Sequence, residues 1–199
     1  TTSPTGIDWT PQNTTTFYND IVYSTNLALF VAVGLNVCST SPNGIDWTAQ
    51  VIPAGEYKGI AQINGGLLIA VGLNVCATSP NGIDWTAQVI PAGDYKGIAA
   101  SDFDGIAAVG DNVCASSGNG IDWTARAIPA GDYNSVEASD NFTVFVAVGV
   151  NVCASSNNGA TWNVQTIPAG TWNKIYSANG FTYVAVGNGI CATSTQGTT

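Results

Sequence analysis

Five aromatic residues stand at intervals of about 38 residues, Tyr18, Tyr57, Tyr95, Tyr133 and Trp172, each opening a run of apolar character. In the same stretches recur the amides Asn36, Asn74, Asn112, Asn151 and Asn188, and three of the aromatics follow directly on an acid, Glu56, Asp94 or Asp132. An aromatic plane beside an amide and a carboxylate is chemistry suited to a sugar, whose C–H face stacks while its hydroxyls take directed hydrogen bonds. Several weak sites of this kind on one rigid body gain avidity toward a surface of repeated glycans. The same residue types also have an architectural use. Aromatics plug the space between packed sheets, and Asn tolerates the left-handed backbone of a tight hairpin. Exposed rings would favour a module that recognises a glycan or surface receptor; buried rings would favour a structural or protein-interaction disc with no small ligand. The last copy, with Trp172 for Tyr and Thr171 for the acid, departs from any strict five-fold site.

Catalytic chemistry is poorly provided for. A glycoside hydrolase needs two carboxylates flanking the scissile bond, and most acids here recur by repeat position instead of forming one asymmetric pair. Asp20 and Glu137 are the best acid and base available, both on expected first strands. The chain has no His to serve as a general base or to activate a Ser, so it is read as no enzyme. Cys38, Cys76, Cys114, Cys153 and Cys191 also recur once per copy. On a ring of about 12 Å radius neighbours lie roughly 14 Å apart, too far for a disulfide. They are expected to be free thiols, small buried hydrophobes between sheets. With no His and the thiols spread apart, no metal and no cofactor are expected.

The elements that must position these residues follow from the repeat. Gly-x-x-Trp ends at Trp9, Trp47, Trp85, Trp123 and Trp162, with spacings of 38, 38, 38 and 39. In the second copy the pattern predicts strands over Tyr57–Gln62, Leu67–Val71, Val75–Ser79 and Trp85–Ile90, separated by Gly65-Gly66, Gly72-Leu73-Asn74 and Pro80-Asn81-Gly82. Four antiparallel strands make one blade, and a repeat of this length that cannot bury its faces alone is read as an all-β, five-bladed β-propeller. The chain is thus one domain, 1–199, with blades near 17–52, 56–90, 94–128, 132–167 and 171–196. The last copy lacks a fourth strand, so residues 8–12 are expected to pair beside 189–195 and close the ring. The Gly-x-Asn turns and Pro-Ala-Gly linkers share one face, and the Trp turns lie on the other.

Composition narrows the partners. A net charge of -9 with only four Lys plus Arg argues against nucleic acid. The apolar runs are too short to span a bilayer, so no membrane insertion is expected.

The segment Ser155-Ser156-Asn157-Asn158-Gly159-Ala160-Thr161-Trp162 resembles the Asp-box turn, Ser-x-Asp-x-Gly-x-Thr-Trp, of sialidase-like and photosystem-assembly-factor-like propellers, with Asn157 in place of the Asp. Asn179-Gly180-Phe181-Thr182-Tyr183-Val184-Ala185-Val186-Gly187 is similar to a strand of related repeats in phage tail and exported bacterial proteins. In those families the box is a folding element, so the resemblance implies the propeller fold and no particular activity. It also implies an extracellular or virion-associated location.

Overall fold

Short Val-, Ile- and Ala-rich runs punctuated by Gly, Asn and Pro become short strands. The computed structural model describes residues 2–3, 5–8, 10–11, 16–63, 65–101, 105–139, 144–177 and 182–195. Blade 1 comprises β1 (Tyr18–Ser24), β2 (Leu29–Gly34), β3 (Val37–Ser41) and β4 (Thr48–Gln50). Blade 2 has β5 (Tyr57–Gln62), β6 (Leu68–Gly72), β7 (Cys76–Ser79) and β8 (Thr86–Gln88). Blade 3 has β9 (Tyr95–Ser101), β10 (Gly105–Gly110), β11 (Cys114–Ser117) and β12 (Trp123–Arg126). Blade 4 has β13 (Tyr133–Ala138), β14 (Phe145–Gly149), β15 (Cys153–Ser156) and β16 (Asn163–Gln165). Blade 5 has β17 (Trp172–Ser177), β18 (Thr182–Gly187) and β19 (Ile190–Thr195). Each blade is an antiparallel meander, and among the described residues there is no helix.

The fourth strands are shorter than the sequence pattern predicts. Trp85 belongs to the turn, where its indole N–H donates to the Gly82 carbonyl at 3.2 Å. Beyond Gln88 the chain leaves the sheet toward Pro91, which has no N–H to offer a ladder.

The core lies between blades. Val31, Val33 and Cys38 of blade 1 pack on Tyr57, Ile60, Leu68 and Ala70 of blade 2, and the same contact recurs from blade 2 to 3, 3 to 4 and 4 to 5. From blade 5 back to blade 1 it is incomplete. Ile21 is 52% exposed, whereas its counterparts Ile60, Ile98, Val136 and Ile175 are 3–8% exposed. The expected closure by residues 8–12 falls partly on Trp9 and Gln12, outside the described residues; among the described residues β19 pairs with β18 alone.

Each first strand opens with a β-bulge just after its aromatic: register shifts fall between Tyr18 and Asp20, Tyr57 and Gly59, Tyr133 and Ser135, and Trp172 and Lys174, and on the β10 side opposite Tyr95. A bulge leaves one residue outside the ladder and re-aims its side chain. Just beyond, the second strands end in Gly72, Gly110 and Gly149, where a Cβ would overlap the carbonyl oxygens of Glu56, Asp94 and Asp132. Gly110→Ala is therefore expected to destabilise by about 2–3 kcal/mol, lowering Tm by roughly 4–12 °C in a circular-dichroism melt. Gly118→Ala, with no heavy atom near the added methyl, is expected to change stability by less than about 0.5 kcal/mol.

Candidate functional site

The repeated aromatics open the first strands as expected, but they face inward. Tyr57, Tyr95, Tyr133 and Trp172 are each 1% exposed. The three tyrosine hydroxyls donate to the carbonyls of Pro53, Pro91 and Pro129 at 2.9–3.0 Å, and the Trp172 indole N–H donates to the Pro168 carbonyl at 3.0 Å. Each ring thus fills a blade interface while its polar tip fastens the preceding Pro-Ala-Gly linker. Tyr18 has no proline four residues earlier; its hydroxyl donates to Ser39 Oγ at 2.7 Å and its ring stacks on Trp47 with centroids 6.1 Å apart. As sugar platforms Tyr57, Tyr95, Tyr133 and Trp172 need correction, since no ligand can stack on rings sealed between sheets; Tyr18 is half-buried.

The amides are structural too. Asn36, Asn74, Asn112 and Asn151 take left-handed backbone, with φ of 54–55°. Their Oδ1 atoms accept from the N–H of Gly55, Gly93, Gly131 and Gly170 at 2.8–2.9 Å, and their own N–H groups donate to the carbonyls of the same glycines. This holds the Gly-x-Asn turns and the linkers together on one face. Asn188 does not belong to the set. In the last copy Gly189 takes the left-handed position, with φ of 71°, and Asn188 stands where the others have Leu35, Leu73, Asp111 and Val150. Its Oδ1 accepts from Asn173 Nδ2 at 2.9 Å.

Asp94 and Asp132 serve cross-blade ion pairs, and Glu56 and Asp111 add contacts within their own blades. Lys58 Nζ lies 2.8 Å from Asp94 and 3.7 Å from Glu56, and Lys96 Nζ contacts Asp132 and, at 2.6 Å, Asp111. Burial pulls the Lys96 ammonium down, but its hydrogen bonds to Asp111 and Asp132 outweigh this and leave it raised. Asp111 is lowered, first by its hydrogen bond with Asp132 and then by Lys96. The lysines sit at the bulge, and the Asn residues at that same position reach the same way: Asn19 Nδ2 donates to the Tyr57 carbonyl at 2.8 Å and Asn134 Nδ2 to the Trp172 carbonyl at 2.9 Å. This set of inter-blade pins was missed in the sequence, although its signal is plain: the residue after every repeated aromatic is Asn or Lys.

Asp20 and Glu137 lie on β1 and β13, in blades 1 and 4. The Asp20 carboxylate accepts from the Ile60 N–H at 3.1 Å and from Lys174 Nζ at 3.1 Å, which holds it as a neutralised anion between blades. Among the described residues no three His, Cys, Asp or Glu side chains gather as a metal site.

All five cysteines are free. Burial pushes the Cys38, Cys76 and Cys114 thiols up to about 12, against a smaller lowering by the neighbouring indoles of Trp85, Trp123 and Trp162. Burial raises Cys153 to about 11. Such thiols stay protonated at neutral pH and are poor nucleophiles. Cys191 corrects the expectation of a buried set: it is exposed, because blade 1 does not cover β19 as each other blade covers its neighbour.

In the Trp turns the capping residue is the Asn directly before Gly. Asn158 Oδ1 accepts from the N–H groups of Ala160 and Thr161 at 2.9 Å, as Asn43 does from Ile45 and Asp46. Asn157, which the Asp-box resemblance aligned with Asp, is not that residue.

Two concavities stand apart from the repeat. One, of about 290 Å³, lies between blades 4 and 5 and is mostly apolar, bordered by Cys153, Ile167, Tyr183 and Ala192. The other, of about 220 Å³, is polar and lies between blades 3 and 4, bordered by Ser116, Asp122, Thr124, Arg126 and Asn158. Arg126 Nε donates to Ser116 Oγ at 2.8 Å, and among the described residues this guanidinium pairs with no carboxylate.

No protein-family model and no curated protein sequence matches the chain. In structure it is similar to virginiamycin B lyase from Staphylococcus aureus, with a TM-score of 0.72 at 12% identity over 88% of this chain and 68% of that one. It is also similar to YCF48 from Cyanidioschyzon merolae, with a TM-score of 0.60 at 16% identity over 84% of this chain and 66% of that one. An ancestral GH74 enzyme gives a TM-score of 0.64 at 16% identity over 84% of this chain and 27% of its own. These likenesses show the fold, a β-propeller.

The buried acids give a testable pH dependence. Cys38, Cys76 and Cys114 titrate near 9.0 when free and near 12 when folded, and Tyr57, Tyr95 and Tyr133 shift from 10.0 to about 12. Above about pH 9 the unfolded chain therefore releases protons that the folded chain keeps, and stability is lost progressively toward pH 12. Tm is expected to fall across that window, with a shallower slope in the Cys38→Ala, Cys76→Ala, Cys114→Ala variant.

Proposed function

We propose that the chain is a non-catalytic protein-interaction disc of an extracellular or virion-associated assembly. One observation carries this reading: four of the five repeated aromatics, Tyr57, Tyr95, Tyr133 and Trp172, are buried in the blade interfaces. Large side chains exposed in register include Ile45, Ile83 and Ile121 on the Trp-turn face, at 53%, 50% and 48%, and Leu35, Leu73 and Val150 on the opposite face. Apolar groups presented at one position of successive copies suit a protein surface better than a sugar, which needs a stacking plane and directed polar groups. Closure of the ring by residues 8–12 belongs to the same reading, since a disc with an open edge invites unwanted strand pairing.

A second reading, recognition of a glycan or surface receptor, is favoured by the polar cleft at Arg126. Its hydroxyls, its amide and a guanidinium with no carboxylate partner among the described residues offer directed hydrogen bonds without an aromatic platform.

Two measurements on the purified chain test the choice. In sedimentation velocity the intact chain is expected to self-associate at high concentration through its uncovered isoleucines, and the Ile45→Asp, Ile83→Asp, Ile121→Asp variant to stay monomeric. On a glycan array no ligand is expected. A specific glycan lost in Arg126→Ala would establish the second reading, and a strictly monomeric intact chain would contradict the first.

A further inference from the structure

We infer that the polar cleft between blades 3 and 4 is a carboxylate site, and that it takes a small hydroxylated acid the size of one sugar ring. This needs the cleft alone and holds whichever partner the isoleucine face meets. Departures from the repeat converge on it. Val75–Asp94 of copy 2 and Val113–Asp132 of copy 3 differ at four positions: Thr78 against Ser116, Pro80 against Gly118, Gln88 against Arg126 and Val89 against Ala127. Ser116, Gly118 and Arg126 all border the cleft. Blade 4 contributes Ala160, where the preceding copies have Ile83 and Ile121.

Three of these changes remove bulk. Between blades 1 and 2 the methyl of Thr40 reaches within 3.4 Å of where a Cβ on Gly82 would stand; its counterpart Ser116 has no methyl. Gly118 lacks the proline ring, and a Cβ added to it would meet no heavy atom within 4 Å. Ala160 lacks the branched side chain of isoleucine. The space that results is about 220 Å³. A cavity of about 150 Å³ holds benzene, so this one has room for a single six-membered ring with its polar substituents.

The other changes supply donors. Gln50, Gln88 and Gln165 donate from Nε2 to Thr40, Thr78 and Ser155 at 2.8–3.0 Å, and Arg126 Nε donates to Ser116 at 2.8 Å in the same register. Blade 3 thus keeps the hydrogen bond and puts a cation where its neighbours carry a neutral amide. That bond uses one of five guanidinium N–H donors; a bidentate grip on a carboxylate uses two more. Blade 4 adds an amide. Asn43, Asn81 and Asn119 donate from Nδ2 to Asp46, Asp84 and Asp122 at 2.8–2.9 Å, but Thr161 replaces that acid in blade 4, and Asn158 loses the acceptor its counterparts use. The hydroxyl of Thr124 borders the cleft beside them. So does the carboxylate of Asp122, which accepts from a ligand hydroxyl and opposes a second negative charge. A singly charged acid with hydroxyl groups satisfies this set, whereas sulfate has two charges and nothing to donate.

Titration of the purified chain with sodium glucuronate, glucose and sodium sulfate at constant ionic strength, followed by amide chemical shifts, tests the site. Glucuronate is expected to move the amides of Ser116, Thr124, Arg126 and Asn158 with a Kd on the order of 1 mM, and glucose and sulfate to bind at least about tenfold more weakly. Arg126→Gln restores the residue of the other blades and is expected to weaken glucuronate about tenfold. Gly118→Pro, which also restores the repeat, is expected to weaken it by narrowing the cleft, and is read alone if Arg126→Gln loses its folded circular-dichroism signal. A glucuronate-terminated oligosaccharide is expected to bind no better than the free acid; tighter binding would support the same carboxylate contact and make a glycan its source. Glucose binding as tightly as glucuronate would overturn the carboxylate site in favour of a neutral sugar. Sulfate binding as tightly, undiminished binding by Arg126→Gln, or no shifts with any acid would overturn it outright. The Ile45, Ile83 and Ile121 face is untouched by these variants, so the site and the interaction reading fail separately.

Discussion

Everything in this molecule depends on one contact, repeated with small variations: the second strand and cysteine of one blade pressed against the aromatic, the β-branched residue and the second strand of the next. No single sheet of three or four short strands can bury both faces, so each is stable only between neighbours. A buried Tyr or Trp removes about 150–250 Å² from water, on the order of 4–6 kcal/mol as an upper figure. That is large beside the net stability of a typical domain. It explains why the aromatics are repeated and unavailable to a ligand.

The polar groups refine what the apolar contact creates. Bulges swing Asn19, Lys58, Lys96 and Asn134 out of their own ladders toward the following blade. Left-handed Asn residues tie each hairpin to the next linker. Partly exposed ion pairs such as Lys58 with Asp94 contribute little energy, but together with the bulges they fix how one blade sits on another. Most of the four cations of a strongly acidic chain are used this way.

Much of the architecture was legible in the sequence because period and punctuation encode it directly. Five copies, strand order, shared faces and the freedom of the thiols all follow from spacing. What stayed hidden depended on direction. Spacing places Tyr57 at the start of a strand, but only the neighbouring blade determines that its ring points into an interface and its hydroxyl toward Pro53. Asn188 looked like a fifth turn amide because the last copy carries Gly189 at the left-handed position and its Asn one residue earlier. Cys191 and Ile21 matched their buried counterparts by type, yet they lie where the series of interfaces is incomplete. The apolar cavity beside Cys153 lies in the neighbouring interface of blades 4 and 5, and no motif announces it.

Stability resides in the serial blade contacts and is weakest where the chain must meet itself. Native-state hydrogen exchange read by strand tests it most directly. The amides of β5–β7, β9–β11 and β13–β15 are expected to exchange together through global unfolding, while β1 and β17–β19 open at lower free energy. Equal protection of all five first strands, or earliest opening in blade 3, would contradict it.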